Sequence, residues 1–216
     1  MIVSFKHRFI FVAIPKTATH SIRTALRPQL GERDWEQCVL FEKRYFPVEA
    51  LANIGHGHIT CEEVRPFLLP EMWEGFYRFC TVRNPFDRFS SFCHFIHRDT
   101  DKMRTDPLGT MKAAIEDGEF VDHVLFRPQN EFVADSDGRL AVDRVMRIES
   151  LEEDFGEVCG TLGLKAARLE RINSSRPEQH RDLFDEELIE MVAAYFEKDF
   201  RMFDYAPRPG EAIRSI

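Results

Sequence analysis

Short apolar runs alternate with amphipathic stretches along this chain. Three runs rich in β-branched and aromatic residues, at positions 9–14, 76–82 and 142–148, predict buried strands of a mostly parallel sheet. Helical spacing of apolar residues predicts helices at positions 19–27, 119–126, 151–162 and 186–200, and a further helix that begins at Pro85. Because strands that alternate with helices are typical of α/β proteins, we expect one α/β domain spanning residues 1–216.

The predicted helices have identifiable faces. In the helix at 19–27, Ile22, Ala25 and Leu26 are expected to point inward, and Arg23 and Arg27 outward. Asn84 and Pro85 form a favourable helix start, with asparagine as N-cap and proline at the first helical position. The buried stripe of the helix at 186–200 is expected to consist of Ile189, Val192, Ala193, Phe196 and Phe200. We expect loops with short helices at residues 31–70 and a polar segment that is partly loop at residues 99–118.

Composition and charge narrow the class of protein. The 216 residues are 44% hydrophobic and 31% charged, as in an ordinary globular protein, and the 20 phenylalanines predict a Phe-rich core. A net charge of −8 argues against a general nucleic-acid binder, which needs a basic surface, but leaves room for a local basic pocket.

Neither membrane insertion nor a disulfide framework is indicated. The N-terminal apolar run is short and interrupted by charged residues, and no segment approaches the roughly 18 apolar residues of a membrane span. The five cysteines are odd in number and irregularly spaced, which favours reduced thiols. We therefore expect a cytoplasmic protein without a membrane partner.

The segment IPKTATHS, at positions 14–21, connects the first predicted strand to a helix. Backbone amides at the start of a helix and the helix dipole favour an anion. Lys16 adds positive charge, and Thr17, Thr19 and Ser21 add hydroxyl donors. The alternative is a capped turn with a solvated lysine. The glycines that precede the lysine of a nucleoside triphosphate loop are absent, so that kind of site is disfavoured.

The segment TVRNPFDRFSS, at positions 81–91, has a similar position after the second predicted strand. Arg83 ends the strand, and Ser91 lies about two turns into the next helix. An arginine and a hydroxyl in this arrangement can clamp a phosphate, although a structural ion pair is the alternative. Arg88 can pair with Asp87 or Glu149, or can line a nucleotide pocket.

Together, the PKT loop and the later VRNPxxRxxS segment resemble the sulfotransferases that use 3′-phosphoadenosine 5′-phosphosulfate (PAPS). The resemblance implies a P-loop-NTPase-like, three-layer fold with helices flanking the sheet, PAPS as sulfuryl donor and 3′-phosphoadenosine 5′-phosphate (PAP) as product. It implies that Arg83 and Ser91 bind the 3′-phosphate. It further implies a cradle for the 5′-phosphosulfate formed by Lys16, Thr17, Ala18, Thr19, His20 and Ser21.

A third segment, GHGHI at positions 55–59, resembles the HGHV segment of the uronyl 2-O-sulfotransferases that modify heparan and chondroitin. This resemblance implies that His58 is the catalytic base, His56 an auxiliary, and the acceptor a hydroxyl-bearing small molecule or carbohydrate. Residues 147–151 and 173–175 resemble further landmarks, which implies that Asn173 and Ser174 fold over the nucleotide. Lys16 is expected to stabilise the departing oxygen.

Two residues in the first loop depart from the family pattern. Ala18 stands where glycine is frequent, and it allows a close approach provided that its φ is negative. His20 replaces a hydroxyl residue that usually contacts the 5′-phosphate. This substitution motivates an alternative function, a PAP- or PAPS-binding module without transfer activity. A zinc site at His56, His58 and Cys61 is a further alternative, but a fourth ligand is not evident in the sequence. The sequence leaves the identity of the acceptor and the oligomeric state open.

Overall fold

The computed structural model describes residues 1–40, 42–165, 169 and 183–209. These residues form two compact units. The first contains the described residues of Met1–Val82 and Glu131–Ile172, and the second those of Arg83–Asn130 and Asn173–Ile216. Two proposed site residues, Asn173 and Ser174, lie outside the described residues.

The first unit is built on a five-stranded sheet. Its strands are β1 (Ile2–Ser4), β2 (Phe9–Val12), β3 (Trp35–Glu36), β4 (Tyr77–Val82) and β5 (Arg144–Arg147), in the order β3-β1-β2-β4-β5. β2 pairs in parallel with β4, and β4 with β5, whereas β1 is antiparallel to both of its neighbours. Four strands therefore run in one direction, and the predicted mostly parallel α/β sheet is confirmed.

The described residues also form helices, labelled α1 to α11 in chain order. They are α1 (Thr19–Leu26), α2 (Glu49–Ala52), α3 (Cys61–Val64), α4 (Pro70–Gly75), α5 (Pro85–Ile96), α6 (Lys102–Thr105), α7 (Pro107–Glu116), α8 (Asn130–Val133), α9 (Leu151–Leu162), α10 (Glu186–Tyr195) and α11 (Glu197–Met202). Short 3-10 turns follow α1 and α3 and precede α9.

One face of the sheet forms a core with α1 and α9. Alternating positions of the central strands, among them Phe11, Phe79 and Met146, are fully buried in one cluster with Ile22 of α1 and Phe155 of α9. On the opposite side, Ile10 and Val12 of β2 and Cys80 and Val82 of β4 are also buried, as expected for strands covered on both sides, whereas Arg78 at the start of β4 is only partly buried. The three strand predictions are confirmed, whereas β1 and β3 were not predicted because they are only three and two residues long.

The second unit packs helices around phenylalanine side chains, which confirms a Phe-rich core. Phe89 of α5 lies 6.1 Å from Phe126 and 6.2 Å from Phe196, measured between ring centroids. The predicted start of α5 is confirmed, because the Asn84 side chain accepts a hydrogen bond from Phe86 N. Aromatic contacts thus position α5, which follows Arg83.

In the second unit one helix prediction is wrong, and another is confirmed except for a break and two positions of its buried stripe. Residues 119–126 form successive turns, and Gly118, two residues after the end of α7, has a left-handed φ of 65° that is typical of a helix end. The helix lies instead at Pro107–Glu116, where the Asp106 side chain caps Gly109 N. The helix predicted at 186–200 is interrupted at Phe196, and Leu188 is buried in place of the half-buried Ile189 and Ala193.

Two further sequence expectations concern the membrane and the thiols. Within the described part of the chain, no helix combines the length and the apolar character that a membrane crossing requires. The five cysteines are free and buried, which agrees with reduced thiols. Burial raises the pKa of Cys61 to about 12, so this thiol is protonated at neutral pH.

Candidate functional site

The loop between β2 and α1 has an unusual backbone. Lys16 and Ala18 have left-handed φ values of 65° and 61°, whereas the intervening Thr17 does not. Alternating backbone handedness turns successive N–H groups toward one side and creates an anion-binding concavity. A left-handed residue other than glycine costs about 1–2 kcal/mol, and such strain clusters at functional sites. The condition stated for a close approach at Ala18, a negative φ, is therefore not met.

Thr17 supports this backbone with its side chain. The residue is fully buried, and its hydroxyl donates a 2.9 Å hydrogen bond to the carbonyl of Ile14. Because the Thr17 hydroxyl proton is used in this bond, the side chain closes the turn and does not donate to an anion. The backbone N–H of Thr17 is the donor that suits an anion.

The start of α1 also has the properties of an anion site. Within the residues described, no side chain caps the helix at Ala18, and the first turn contains no acidic residue. The first amides of a helix have no partner inside the helix, and they are those of Thr19, His20 and Ser21. A negatively charged group bound here would replace the missing cap and interact favourably with the helix dipole.

His58 lies beside this loop in the same unit. Its Nδ1 is 2.7 Å from the carbonyl oxygen of Ala13, the residue after β2. A carbonyl oxygen only accepts hydrogen bonds, so Nδ1 carries the proton and Nε2 of the neutral ring carries the lone pair. This contact places a histidine with a proton-accepting nitrogen at the carboxyl end of β2.

The surroundings keep the His58 ring neutral. Burial lowers the pKa of His58 to about 3, and Arg23 and His56 oppose protonation further. The Ala13 carbonyl acts in the opposite direction, because it favours the protonated ring. His56 is close, with 6.2 Å between the two ring centroids, and its Nδ1 accepts a 3.3 Å hydrogen bond from His58 N.

Gly57 positions His58 through its carbonyl group. The Gly57 oxygen accepts a 2.8 Å hydrogen bond from Nη2 of Arg23, which lies in α1. Nη1 of Arg23 donates to the Gln37 carbonyl at 2.6 Å, and the Gln37 side-chain amide donates to the His56 carbonyl at 2.9 Å. Arg23 and Gln37 are both buried. Hydrogen bonds to backbone carbonyls thus join α1 to the HGH segment, His56–His58.

The prediction that Arg23 points outward is wrong. Its side chain is only 3% exposed, because the guanidinium donates to two carbonyls and lies 3.7 Å from Glu36. Arg27 is also largely covered, by an ion pair with Glu36 at 2.9 Å. The ends of the HGH segment are held as well. Gly55 has a φ of 75°, and Thr60 and Glu63 form a reciprocal capping box at the start of α3.

The second unit contains the other two proposed phosphate ligands, Arg83 and Ser91. Arg83 follows β4 directly and is buried, and Ser91 is half-buried in α5. The Arg83 backbone pairs with the side-chain amide of Gln129 through two hydrogen bonds of 2.9 Å. Arg88 has a structural role, because it is buried and donates to the carbonyls of Leu125 and Arg127.

No group of three or more His, Cys, Asp or Glu side chains within the described residues could hold a metal ion. His56, His58 and Cys61 are thus not brought together as such a group. The structure instead brings His58 next to the loop between β2 and α1, a contact that cannot be deduced from the sequence. The sequence did not point to Gln37 or Gln129, because a buried glutamine does not appear in any hydrophobic periodicity or motif.

Comparison with known proteins identifies the family of the chain. No curated protein and no solved structure matches the chain. The family model described as the sulfotransferase family matches residues 1–206, which includes both motifs and the HGH segment. Nearly the whole chain is covered by the match, and the chain therefore belongs to the sulfotransferase family.

Proposed function

We propose that this protein transfers the sulfuryl group of PAPS to a hydroxyl group of a carbohydrate acceptor, with PAP as the second product. The observation that carries the proposal is the 2.7 Å hydrogen bond between His58 Nδ1 and the Ala13 carbonyl. It presents a neutral imidazole beside a loop that is suited to an anion. The same proposal includes a P-loop-NTPase-like, three-layer arrangement, supported by the direction of the strands and the loop after β2.

The donor is proposed to bind through the residues that match the family motifs. The backbone and side chains of residues 16–21 would hold the 5′-phosphosulfate, since the left-handed φ of Lys16 and Ala18 favours a concave loop and no described side chain caps α1. Arg83 and Ser91 would hold the 3′-phosphate. Asn173 and Ser174 are also proposed to bind the nucleotide, on the basis of the sequence motif alone.

In the proposed reaction, the acceptor oxygen attacks the sulfur atom as His58 Nε2 takes the hydroxyl proton. The bond between sulfur and the bridging oxygen of the 5′-phosphate breaks, and PAP leaves with that oxygen. Lys16 would offset the negative charge that develops there. Sulfuryl transfer has the same demands for in-line positioning as phosphoryl transfer.

The low pKa of His58 is compatible with this role. A general base must be deprotonated before it acts, and His58 is neutral at physiological pH. The negative charges of a bound donor would raise its pKa toward the range in which a base accepts a proton most effectively. His56 would be an auxiliary that supports the backbone of His58.

A panel of nucleotides tests the ligand class. We expect PAP to raise the melting temperature more than AMP or ATP does, because PAP alone carries both phosphate positions of the proposed donor site. Stabilisation by ATP without stabilisation by PAP would contradict the proposal and indicate a kinase. PAP binding without transfer of labelled sulfate to any acceptor would favour the non-catalytic module, for which His20 is the motivating residue.

The variant His58→Ala tests the base. We expect it to lower the transfer rate by about a hundredfold or more, the usual contribution of a general base, and to change the Kd for PAP by less than about threefold. His7→Ala is a matched control, since His7 also lies 3.0 Å from a backbone carbonyl, that of Gln29, in the same unit. Unchanged transfer in His58→Ala would reject the assignment.

A further inference from the structure

The side chain of Gln129 pairs with Arg83 in the manner of a neighbouring strand. Arg83 N donates to Gln129 Oε1, and Gln129 Nε2 donates to the Arg83 carbonyl, both at 2.9 Å. Two bonds to one residue fix both the position and the rotation of its backbone. Gln129 is fully buried, so no water competes for these bonds.

Asp199 holds Gln129 from the other side. One carboxylate oxygen accepts Gln129 N at 2.8 Å and lies 3.4 Å from Gln129 Nε2, and the other accepts Asn130 N at 2.7 Å. Because carboxylate and carbonyl oxygens only accept hydrogen bonds, these partners orient the amide with its nitrogen toward Asp199 and its oxygen toward Arg83 N.

Asp199 is fully buried in α11, where a carboxylate is costly unless it is bonded. Burial raises its pKa, whereas the positive charge of Arg88 and the surrounding N–H donors lower it. The carboxylate, the glutamine amide and the Arg83 backbone therefore form one chain of hydrogen bonds, whose end is the residue matched to the 3′-phosphate.

We propose that Gln129 and Asp199 are positioning residues that hold Arg83 in place for a nucleotide 3′-phosphate and thereby set the selectivity for 3′-phosphorylated nucleotides. This inference rests on the proposed function, since it uses Arg83 as the 3′-phosphate ligand. Its physical basis is that a guanidinium binds phosphate through a planar fork of donors, so a small backbone shift misaligns it.

The test compares the affinities of two nucleotides that differ only in the 3′-phosphate, PAP and AMP, measured by calorimetry. Gln129→Met keeps the length of the side chain and removes both bonds to Arg83. We expect the ratio of the Kd for AMP to the Kd for PAP to fall about tenfold, equivalent to about 1.4 kcal/mol. The Kd for AMP should change by less than about threefold, or about 0.7 kcal/mol.

Asp199→Asn is the second variant, in case Gln129→Met does not fold. It keeps the shape of the side chain but exchanges one acceptor for a donor, which disturbs the orientation of Gln129. We expect the same fall in the ratio, of smaller size. Gln37→Met is the matched control, because Gln37 is an equally buried glutamine with three side-chain hydrogen bonds in the first unit. It should lower stability and leave the ratio unchanged.

The outcomes separate this inference from the proposed function. If the wild-type protein does not prefer PAP over AMP, the proposed function fails and the inference fails with it. If the wild type prefers PAP and the folded variants keep the full ratio, the inference alone is overturned. Equal weakening of both nucleotides would also overturn it, because that result indicates a general structural role.

Discussion

Replacing Gly57 by alanine should disrupt the segment that holds His58. An added Cβ would lie 2.5 Å from the Gln37 carbonyl oxygen, 3.0 Å from Nη2 of Arg23 and 3.2 Å from Cys38 Cα. The closest of these distances is roughly 0.9 Å short of the 3.4 Å at which ordinary van der Waals contact begins. The Gln37 carbonyl has little freedom to move, because it accepts a 2.6 Å hydrogen bond from Arg23.

Two terms set the size of the effect. Overpacking a buried site costs about 1–3 kcal/mol. Displacing the Gly57 carbonyl also weakens its bond to Arg23, and a hydrogen bond to a charged group contributes about 1.5–3 kcal/mol. We therefore expect Gly57→Ala to lower the free energy of unfolding by about 2–5 kcal/mol. A shift of the next residue, His58, would lengthen its bond to Ala13 and reduce the transfer rate by about a hundredfold.

Urea unfolding and labelled-sulfate transfer measure the two effects. The matched control is Gly160→Ala in α9, where an added Cβ meets nothing within 4 Å. Alanine in a helix restricts the unfolded chain, so this control should gain about 0.4–1 kcal/mol. A loss below about 0.5 kcal/mol in Gly57→Ala, the range of an ordinary surface substitution, together with unchanged transfer, would refute the role assigned to Gly57.

Three further predictions address the loop, the base and the buried arginine. Ala18→Gly should raise the free energy of unfolding by up to about 1 kcal/mol, because glycine adopts the left-handed φ of 61° without strain. The control Ala113→Gly, in the interior of α7, should lower the free energy of unfolding by about 1 kcal/mol in the same urea assay. The pKa of His58, about 3, lies below its ordinary value near 6.5, so the unfolded state binds the extra proton between these values. The free energy of unfolding should therefore fall as the pH drops from about 6.5 toward 3, by up to about 1.4 kcal/mol per pH unit. Urea midpoints measured at several pH values should fall less steeply in His58→Gln than in the wild type. Equal slopes for the two proteins would contradict the low pKa of His58. Arg23→Met removes two hydrogen bonds from a charged donor to the buried carbonyls of Gln37 and Gly57, which retain the N-terminal amine of Met1 as a donor. It should cost about 2–5 kcal/mol by urea unfolding, against less than about 0.5 kcal/mol for Arg201→Met, whose ion pair is exposed. Equal losses would contradict the buried role.

The central strands and the first loop were predictable because their signals are local. The apolar run at positions 9–14 and the change to helical spacing at Thr19 identify a strand, a loop and a helix without knowledge of the rest of the chain. Asn84 and Pro85 predicted the start of α5 for the same reason, since capping involves neighbouring residues.

Other features depend on distant partners and were missed. Arg23 has the helical position of a surface residue, yet it is buried because the carbonyls of Gln37 and Gly57 accept its donors. The left-handed conformation of Ala18 is also hidden from the sequence, because alanine usually avoids it and only the surrounding loop imposes it.

The sequence by itself determined the α/β class and the residues that match a sulfotransferase, because hydrophobic periodicity and short motifs are written in consecutive positions. Only the tertiary structure decided that His58 contacts Ala13 and that Gln129 and Asp199 hold Arg83. These pairs are 45, 46 and 70 residues apart along the chain for His58–Ala13, Arg83–Gln129 and Gln129–Asp199. Hydrogen bonds over such separations exist only after the chain has folded and excluded water from them.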